Sequence, residues 1–351
     1  MKIRIVDIAD KAGVSAGTVD RIIHQRGRYS EKTKEKVEKA IQELGYAPDI
    51  MARNLALKKE LHIVCLIPNP NDTKYWERPI SGIHKAISEL ASFKVDIKTV
   101  LFLPRKDDFK IACEQILQSN PDGVVYVPMF LQESLSFAEL LNDKGIPFVH
   151  INIHHSLANP LSYVGQDPIA AGKTAASLCA MALQKNHHIL IAYISKEKQE
   201  YSHLQDRIDG FIQYFDHKHS DQSQIFHLDI KTNKDESEYD KQLMQYLNKH
   251  PNIQLIYVPN SRAYKIASIL KKYKRKDFIV IGFDTLIENI TYLKEGYIDL
   301  IIGQQSKSQG FNAVMLLFNA LFRKEAVNPQ NLLPVDILNA ENIDFYEGLM
   351  Q

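Results

Sequence analysis

The sequence has few cysteines and no long apolar run, and these absences exclude several classes of protein. Cys65, Cys113 and Cys179 are dispersed through 351 residues, so neither a disulfide framework nor a zinc site of the Cys-x-x-Cys type is expected. No stretch approaches the roughly 18 apolar residues that a membrane helix needs, and the charged N-terminus does not resemble a signal peptide. We therefore expect a cytoplasmic protein that contacts no membrane and carries no metal.

Residues that could support catalysis are not grouped in a familiar arrangement. Asp206, Arg207 and Asp209 are close in sequence, but neither paired carboxylates nor a nucleophile elbow accompanies them. Residues 171–174 read Ala-Gly-Lys-Thr, like the end of a phosphate-binding loop, yet Asp167 stands where that motif requires glycine. We therefore expect neither an enzyme nor a bound cofactor.

Positive charge is concentrated near the N-terminus. Residues 1–60 hold 13 Lys or Arg and 9 Asp or Glu, whereas the remaining chain holds 30 and 33, and the net charge of the whole protein is +1. A basic segment suits a partner that carries phosphates, and the slightly acidic remainder is typical of an ordinary globular body. This asymmetry indicates a nucleic-acid-binding head joined to a larger body.

Residues 3–23 have the pattern of two short helices joined by a sharp turn. Apolar residues at helical spacing predict the buried faces of both helices: Ile5, Ile8, Ala9, Val19, Ile22 and Ile23. Gly13 supplies the turn, and Ser15 is placed to accept a hydrogen bond from the amides that open the second helix. Residues 16–18 and Arg21 then face outward. This is the pattern of a helix-turn-helix whose second helix lies in a major groove.

A third helix and a weaker helical segment follow. Ser30 and Glu31 begin the third helix, which carries apolar residues at helical spacing and ends at Gly45. Pro48 suits the first position of another helix, but residues 49–57 are too few and too weakly apolar to be helical alone. We therefore predict a hinge that folds only against another surface.

From residue 61 onward, short apolar runs alternate with helical stretches. The runs predict strands near 61–68, 94–101, 122–128, 146–152, 188–195, 224–229, 253–259 and 278–283. Helices are predicted near 75–91, 106–119, 133–144, 168–184, 202–217, 236–250, 261–273 and 286–295. Continuous apolar runs are typical of strands covered on both faces, so the sheets should be parallel and doubly wound. The predicted fold class is α/β, with a small all-α helix-turn-helix head followed by two Rossmann-like lobes.

The order of these parts resembles the lactose-repressor family of bacterial transcription regulators, from about residue 3 to the end of the chain. The helix-turn-helix pattern of that family is matched by Asp7, Ala9, Ala12, Gly13, Val14, Ser15, Thr18, Val19 and Arg21. The resemblance implies a DNA-binding head over 1–47, a hinge helix over 48–60 and a two-lobed domain, like a type I periplasmic binding protein, over 61–351. Crossovers between the lobes are expected near 161–164, 298–303 and 322–332. These crossovers would give a first lobe of 61–162 and 302–324 and a second of 163–299 and 330–351.

The same resemblance implies which residues contact DNA. They are Ser15, Ala16, Gly17, Thr18, Arg21, Arg26, Arg28, Tyr29, Ala52, Asn54 and Leu55. Arg21 is predicted to contact a guanine, or a phosphate if it points sideways, and Arg26, Arg28 and Tyr29 are predicted to hold the DNA backbone. Leu55 matches the leucine that the family inserts into a central base step, and packing on the body is the alternative.

Polar and aromatic residues follow several predicted strands, at the edge where open parallel sheets bind ligands. The predicted effector-binding residues are Asp72, Tyr75, Trp76, Asn152, Gln166, Asp167, Arg207, Asn260, Asp284 and Gln304. Carboxylates and amides bind vicinal hydroxyls and an aromatic face covers a sugar ring, so these loops resemble those of periplasmic sugar-binding proteins. Many family members carry an acid at the position of Asn152, and basic residues at Lys74, Arg78, Arg207 and Arg262 hint at a sugar acid or phosphorylated sugar. Turn chemistry is the alternative for each loop residue, and core packing is the alternative for Trp76.

Together these features predict a homodimeric, ligand-responsive repressor of carbohydrate-use genes. Two heads would bind the half-sites of a near-palindromic double-stranded DNA operator, and a sugar or sugar acid between the lobes would change the spacing of the hinges. The C-terminal segment has no leucine heptads for a tetramer-forming helix, so a dimer is preferred. The alternatives are a two-lobed small-molecule binding protein, which would need export, and a sugar-acting enzyme, which would need a catalytic constellation.

Overall fold

The chain folds into two compact units, Met1–Lys59 and Glu60–Gln351. The structure is a computed structural model that describes residues 3–23, 27, 29–44, 60–71, 73–183, 187–195, 202–218, 224–231 and 236–346. Within these ranges, no helix is long and apolar enough to cross a membrane.

The described residues of the first unit form three helices around a small apolar core. They are α1 (Ile5–Ala12), α2 (Ala16–Ile23) and α3 (Glu31–Leu44). Gly13 ends α1 with a φ of 65°, a left-handed conformation that glycine adopts without strain. Ser15 Oγ accepts a hydrogen bond from the backbone amide of Thr18 at 3.2 Å, which caps the start of α2. The predicted helix-turn-helix is therefore confirmed, and α3 closes its core.

The second unit consists of two lobes, each built on a six-stranded sheet. The first sheet contains β1 (Leu61–Pro68), β2 (Val95–Phe102), β3 (Gly123–Tyr126), β4 (Phe148–Ile151), β5 (Ser162–Gly165) and β11 (Gln330–Leu332), in the order β11-β5-β4-β3-β1-β2. The second contains β6 (His188–Ser195), β7 (Ile225–Lys231), β8 (Ile253–Tyr257), β9 (Ile279–Phe283), β10 (Leu300–Gly303) and β12 (Asp336–Leu338), in the order β12-β10-β9-β8-β6-β7. Every described strand pair is parallel except β10 with the edge strand β12. The predicted α/β fold class is confirmed.

Helices cover the faces of both sheets. They are α4 (Glu77–Glu89), α5 (Lys106–Gln118), α6 (Leu131–Asp143), α7 (Pro168–Ala182), α8 (Ser202–Lys218), α9 (Glu236–Lys249), α10 (Ala263–Lys272), α11 (Ile287–Lys294) and α12 (Ser306–Phe318). A short 3-10 helix, Lys74–Trp76, precedes α4, and a π-helical turn, Asn319–Arg323, extends α12. The apolar strand runs are buried beneath these helices, as in β1, where Ile63, Cys65 and Ile67 are fully covered.

The chain passes between the lobes three times. The first crossover follows β5 at Gln166–Asp167, the second follows β10 at Gln304–Gln305, and the third joins β11 to β12. The predicted lobe boundaries are therefore wrong by a few residues, because 163–165 and 330–332 lie in the first sheet and 302–303 lies in the second. The strands next to the crossovers are only three or four residues long, so each carries too little pattern to be placed from the sequence.

Helices α7 and α8 approach so closely that their backbones touch. A Cβ atom on Gly172 of α7 would lie 2.0 Å from the carbonyl oxygen of Arg207 on α8. Conversely, a Cβ atom on Gly210 would lie 2.2 Å from the carbonyl oxygen of Ile169. Glycine at both positions therefore sets the distance between the helices and, with it, the position of α8 in the second lobe.

Candidate DNA-reading surface and effector cavity

The outer face of α2 presents the candidate DNA-reading residues. Ser15, Ala16, Gly17 and Arg21 are exposed, whereas Thr18 is half-buried. Arg21 Nε donates to the carbonyl of Gly17 at 3.1 Å, and Arg21 Nη2 donates to Thr18 Oγ1 at 3.3 Å. The guanidinium group is thus held over the first turn of α2, on the face that the head leaves open.

One residue predicted to contact DNA is partly buried, and several others lie outside the residues that the structure describes. Tyr29 packs partly against the apolar core of the head, so only part of its ring is available to DNA. Other predicted residues lie outside the described residues, namely Arg26, Arg28, Ala52, Asn54 and Leu55 in the head and hinge and Asp72 in the body.

A cavity lined by residues of both lobes lies between the two halves of the body. Seven side chains predicted to bind the effector line it: Tyr75, Trp76, Asn152, Arg207, Asn260, Asp284 and Gln304. Most of them follow the carboxyl end of a strand, where side-chain and backbone polar groups turn toward the space above the sheet. Arg207 instead projects from α8. The topology thus brings residues that are distant in sequence together around one cavity.

A chain of hydrogen bonds organises the second-lobe side of the cavity. Gln304 Nε2 donates to Asp284 Oδ1 at 2.7 Å, and Arg207 Nη2 donates to Gln304 Oε1. Arg207 Nη1 also donates to the carbonyl of Pro259 at 3.0 Å, and its guanidinium carbon lies 4.3 Å from the centre of the Phe283 ring. Each side chain is therefore held in place before any ligand arrives.

Burial determines the protonation of two side chains that line the cavity. Asp284 is only 4% exposed, and removal from water raises the pKa of its carboxyl group to about 6, against the opposing effects of Arg207, Gln304 and Arg78. Burial and the nearby Asp284 likewise raise the pKa of Tyr75. At neutral pH the site therefore offers a carboxylate that can accept hydrogen bonds from hydroxyl groups and a neutral phenol. The described residues contain no group of three side chains that could hold a metal ion.

Aromatic rings and an amide form the first-lobe side. Tyr75 and Trp76 meet edge to face, with their ring centres 4.8 Å apart. Asn152 has a left-handed backbone, with a φ of 66°, and its Nδ2 donates to Tyr75 Oη at 2.6 Å. Thr73 Oγ1 accepts from the amide of Tyr75 and opens the short helix that carries both rings. These contacts fix two apolar surfaces beside polar groups, which is the pairing that an amphipathic ligand requires.

Gln166 and Asp167, predicted to bind the effector, have structural roles at the first crossover instead. Gln166 Nε2 donates to the carbonyls of Gly303 at 2.8 Å and Pro334 at 2.6 Å, so one amide ties together segments of all three crossovers. Asp167 Oδ1 accepts from the amide of Ala170 at 3.0 Å and caps α7. Both residues follow strand β5, but their side chains bind backbone groups and are not among the residues that line the cavity.

Other lining residues were not predicted from the sequence. Tyr193 and Ser195 stand at the carboxyl end of β6, so the rule that identified the other loops could have found them. Met129 and Leu204 also line the cavity, but apolar side chains give no sequence signal that separates a binding surface from a core. Arg262, one of the basic residues considered from the sequence, lines the cavity together with Arg207.

Two contacts join the lobes beside the cavity. Lys74 Nζ lies 3.2 Å from Glu288 Oε1, and Arg78 Nη2 donates to the carbonyl of Thr285 at 3.0 Å. Lys74 and Arg78 belong to the first lobe, and their partners belong to the second. These basic side chains therefore bridge the lobes instead of lining the cavity.

Comparison with known proteins assigns both units. A family model described as bacterial regulatory proteins, lacI family, matches residues 4–49, and one described as periplasmic binding protein domain matches residues 63–325. The HTH-type transcriptional regulator MalR of Streptococcus pneumoniae is 26% identical over 292 residues, which cover 82% of this chain and 84% of the relative. The sucrose operon repressor of Escherichia coli is 26% identical over 294 residues, covering 80% and 83%.

A solved structure supports the same assignment for the body. A protein from Bacteroides fragilis, provisionally described as a LacI transcriptional regulator, aligns with a TM-score of 0.77 at 28% identity, covering 82% of this chain and 100% of that one. The family predicted from the sequence is thus confirmed for head and body together. The chain belongs to the lacI family of bacterial regulatory proteins: it is a DNA-binding transcription regulator, not an enzyme, and its body is a periplasmic binding protein domain.

Proposed function

We propose that this regulator is a homodimeric repressor of carbohydrate-use genes and that a sugar or sugar derivative binds between its lobes. The chemistry of the cavity supports this most directly. The carboxylate of Asp284 and the amides of Asn152 and Asn260 suit vicinal hydroxyls, and Tyr75 and Trp76 offer aromatic surface for the apolar face of a sugar ring. Two relatives are named sucrose operon repressors.

Two basic side chains in the cavity extend the class of effector that we propose. Arg207 and Arg262 both line the cavity, and a guanidinium group binds carboxylates and phosphates as well as hydroxyls. A sugar acid and a phosphorylated sugar therefore belong to the proposed class beside neutral sugars.

The proposed DNA target is a near-palindromic operator read by two heads. A symmetric dimer presents two copies of α2, which suit half-sites in successive major grooves. Arg21 and the first turn of α2 would face base edges, and Arg26, Arg28 and Tyr29 would hold phosphates. Ala52, Asn54 and Leu55 would enter the minor groove between the half-sites.

Selection of duplexes from a random DNA pool by the full-length protein tests the DNA-binding part. The selected sequences should contain two inverted half-sites, and sedimentation with the selected duplex should show two chains per duplex. Selection of a single half-site, or one chain per duplex, would contradict the dimeric arrangement.

A thermal-shift screen tests the effector part. Neutral monosaccharides and disaccharides, hexuronic acids and hexose phosphates would each be added to the protein, since a ligand at 100 times its dissociation constant adds about 2.7 kcal/mol of stability. Asp284→Ala is the matched control, because it removes a carboxylate of the cavity and leaves the head unchanged. A compound that stabilises the wild type and Asp284→Ala equally would bind elsewhere, and a panel without any stabilising compound would contradict the proposed class.

A further inference from the structure

Two independent contacts bridge the lobes beside the cavity. One is the Lys74–Glu288 ion pair, and the other is the hydrogen bond from Arg78 to the carbonyl of Thr285. Lys74 and Arg78 flank Trp76 in sequence, and Thr285 follows Asp284 directly. The bridges therefore connect the chain segments that carry cavity residues in the two lobes, and neither bridge uses a crossover segment.

We infer that these two bridges form a latch that holds the lobes closed over the cavity, so that breaking them opens the cleft without unfolding either lobe. The inference rests on the effector cavity proposed above and concerns how access to that cavity is controlled. Because Thr285 is adjacent to Asp284, the latch includes a hydrogen bond to the segment that faces the effector. Closure of the lobes is therefore coupled to the shape of the site.

The two bridges should contribute unequally. The side chains of Lys74 and Glu288 are 61% and 36% exposed, and an ion pair of this kind shifts an equilibrium by about five-fold at most and is weakened by salt. Arg78 is half-buried and binds the carbonyl of the buried Thr285, where a hydrogen bond to a charged donor is worth on the order of 10- to 100-fold. Arg78 is therefore expected to hold the lobes more strongly than Lys74.

Trp76 provides a direct measure of opening. It is the single tryptophan of the chain, lines the cavity and is 5% exposed. Quenching of its fluorescence by acrylamide, a neutral solute, reports access to the cleft without any effector or DNA. In the double variant Lys74→Gln/Arg78→Gln, the quenching constant should rise about two-fold or more, with unchanged far-ultraviolet circular dichroism. Lys74→Gln alone should cause a smaller rise, and it keeps the test usable if the double variant fails to fold.

Two further variants separate the latch from a general loss of charge. The exchange Lys74→Glu/Glu288→Lys should restore the low quenching of the wild type, because it rebuilds the ion pair with reversed polarity. Lys271→Gln removes a pair of similar exposure, Lys271–Glu295 at 2.6 Å, that lies within the second lobe, and it should leave quenching unchanged.

The outcomes distinguish the latch from the proposed function. Wild-type quenching in a folded Lys74→Gln/Arg78→Gln variant would overturn the latch, and so would failure of the charge exchange to lower the quenching of Lys74→Gln. If such a variant still responded to a sugar, the proposed function would stand without the latch. Increased quenching in a protein that no sugar stabilises would support the latch and contradict the proposed effector class.

Discussion

Replacing Gly172 by alanine tests the close contact between α7 and α8. The added Cβ atom would lie 2.0 Å from the carbonyl oxygen of Arg207 and 2.9 Å from the amide nitrogen of Phe211. Because both neighbours are backbone atoms, rotation of a side chain cannot relieve the clash. The helices would have to separate locally by about 1 Å, in an interior that is packed at the density of an organic crystal.

The sign of the stability change is the informative result. In an open helix interior, alanine is more stable than glycine by about 0.5–1 kcal/mol, whereas overpacking of this kind costs about 1–3 kcal/mol. We expect Gly172→Ala to lower the free energy of unfolding of the body by about 1–3 kcal/mol in urea titrations. Arg207 lies on the displaced helix and lines the cavity, so the affinity for any stabilising sugar should fall as well.

Gly210→Ala supplies a second test, because its Cβ atom would lie 2.2 Å from the carbonyl oxygen of Ile169 in the same contact. One separation of the helices relieves both clashes, so the double variant should cost clearly less than the two single variants combined. Gly17→Ala is a control, since its nearest neighbour is Ser15 Oγ at 4.0 Å, and it should not destabilise the protein. A neutral or stabilising effect of Gly172→Ala would refute the close contact.

Three further predictions concern the cavity, the reading helix and the hinge. Burial raises the pKa of Asp284 to about 6, above the value of roughly 4 in an unfolded chain, so the folded protein binds this proton more tightly. The wild type should therefore lose roughly 2 kcal/mol of unfolding free energy between pH 4 and pH 7 that Asp284→Asn retains, and identical pH profiles of their urea midpoints would refute the shift. Arg21→Ala should reduce operator discrimination by about 1–3 kcal/mol while sparing most nonspecific binding; a proportional loss of both in competition gel shifts would make Arg21 a phosphate clamp. Leu55→Ala, outside the described residues, should reduce operator affinity and DNA bending together, and unchanged bending in gel-shift analysis would leave the hinge as a mere linker.

The long strands could be predicted because their continuous apolar sequences suit only a buried element. β1 and β6 begin and end where the sequence placed them, at Leu61–Pro68 and His188–Ser195, since a continuous apolar run between polar segments suits a strand buried on both faces. The strands β5, β10 and β11 were missed. Each is three or four residues long and gains its stability from neighbouring strands that the local sequence does not reveal.

The residues that line the cavity could be predicted only where a polar residue follows a strand and the fold also places that residue at the cavity. Asn260 and Asp284 were identified because a polar residue follows an apolar strand at each position. Gln166 satisfies the same rule, yet its amide donates to the carbonyls of Gly303 and Pro334. Gln304 also follows a strand at a crossover, but its side chain lines the cavity. The pattern of a single strand cannot separate these cases, since the difference lies in which backbone groups the neighbouring segments place beside each side chain.

The three crossovers determine the order in which a growing chain can complete its domains. The first lobe needs α12 and β11, and both follow all of the second sheet except β12. The DNA-reading head is therefore synthesised before either lobe, and the first lobe can be completed only after most of the second lobe has been made. A chain truncated within the second lobe would carry a complete reading head but neither finished lobe. Such a fragment would be able to contact DNA without the cavity through which a ligand could control it.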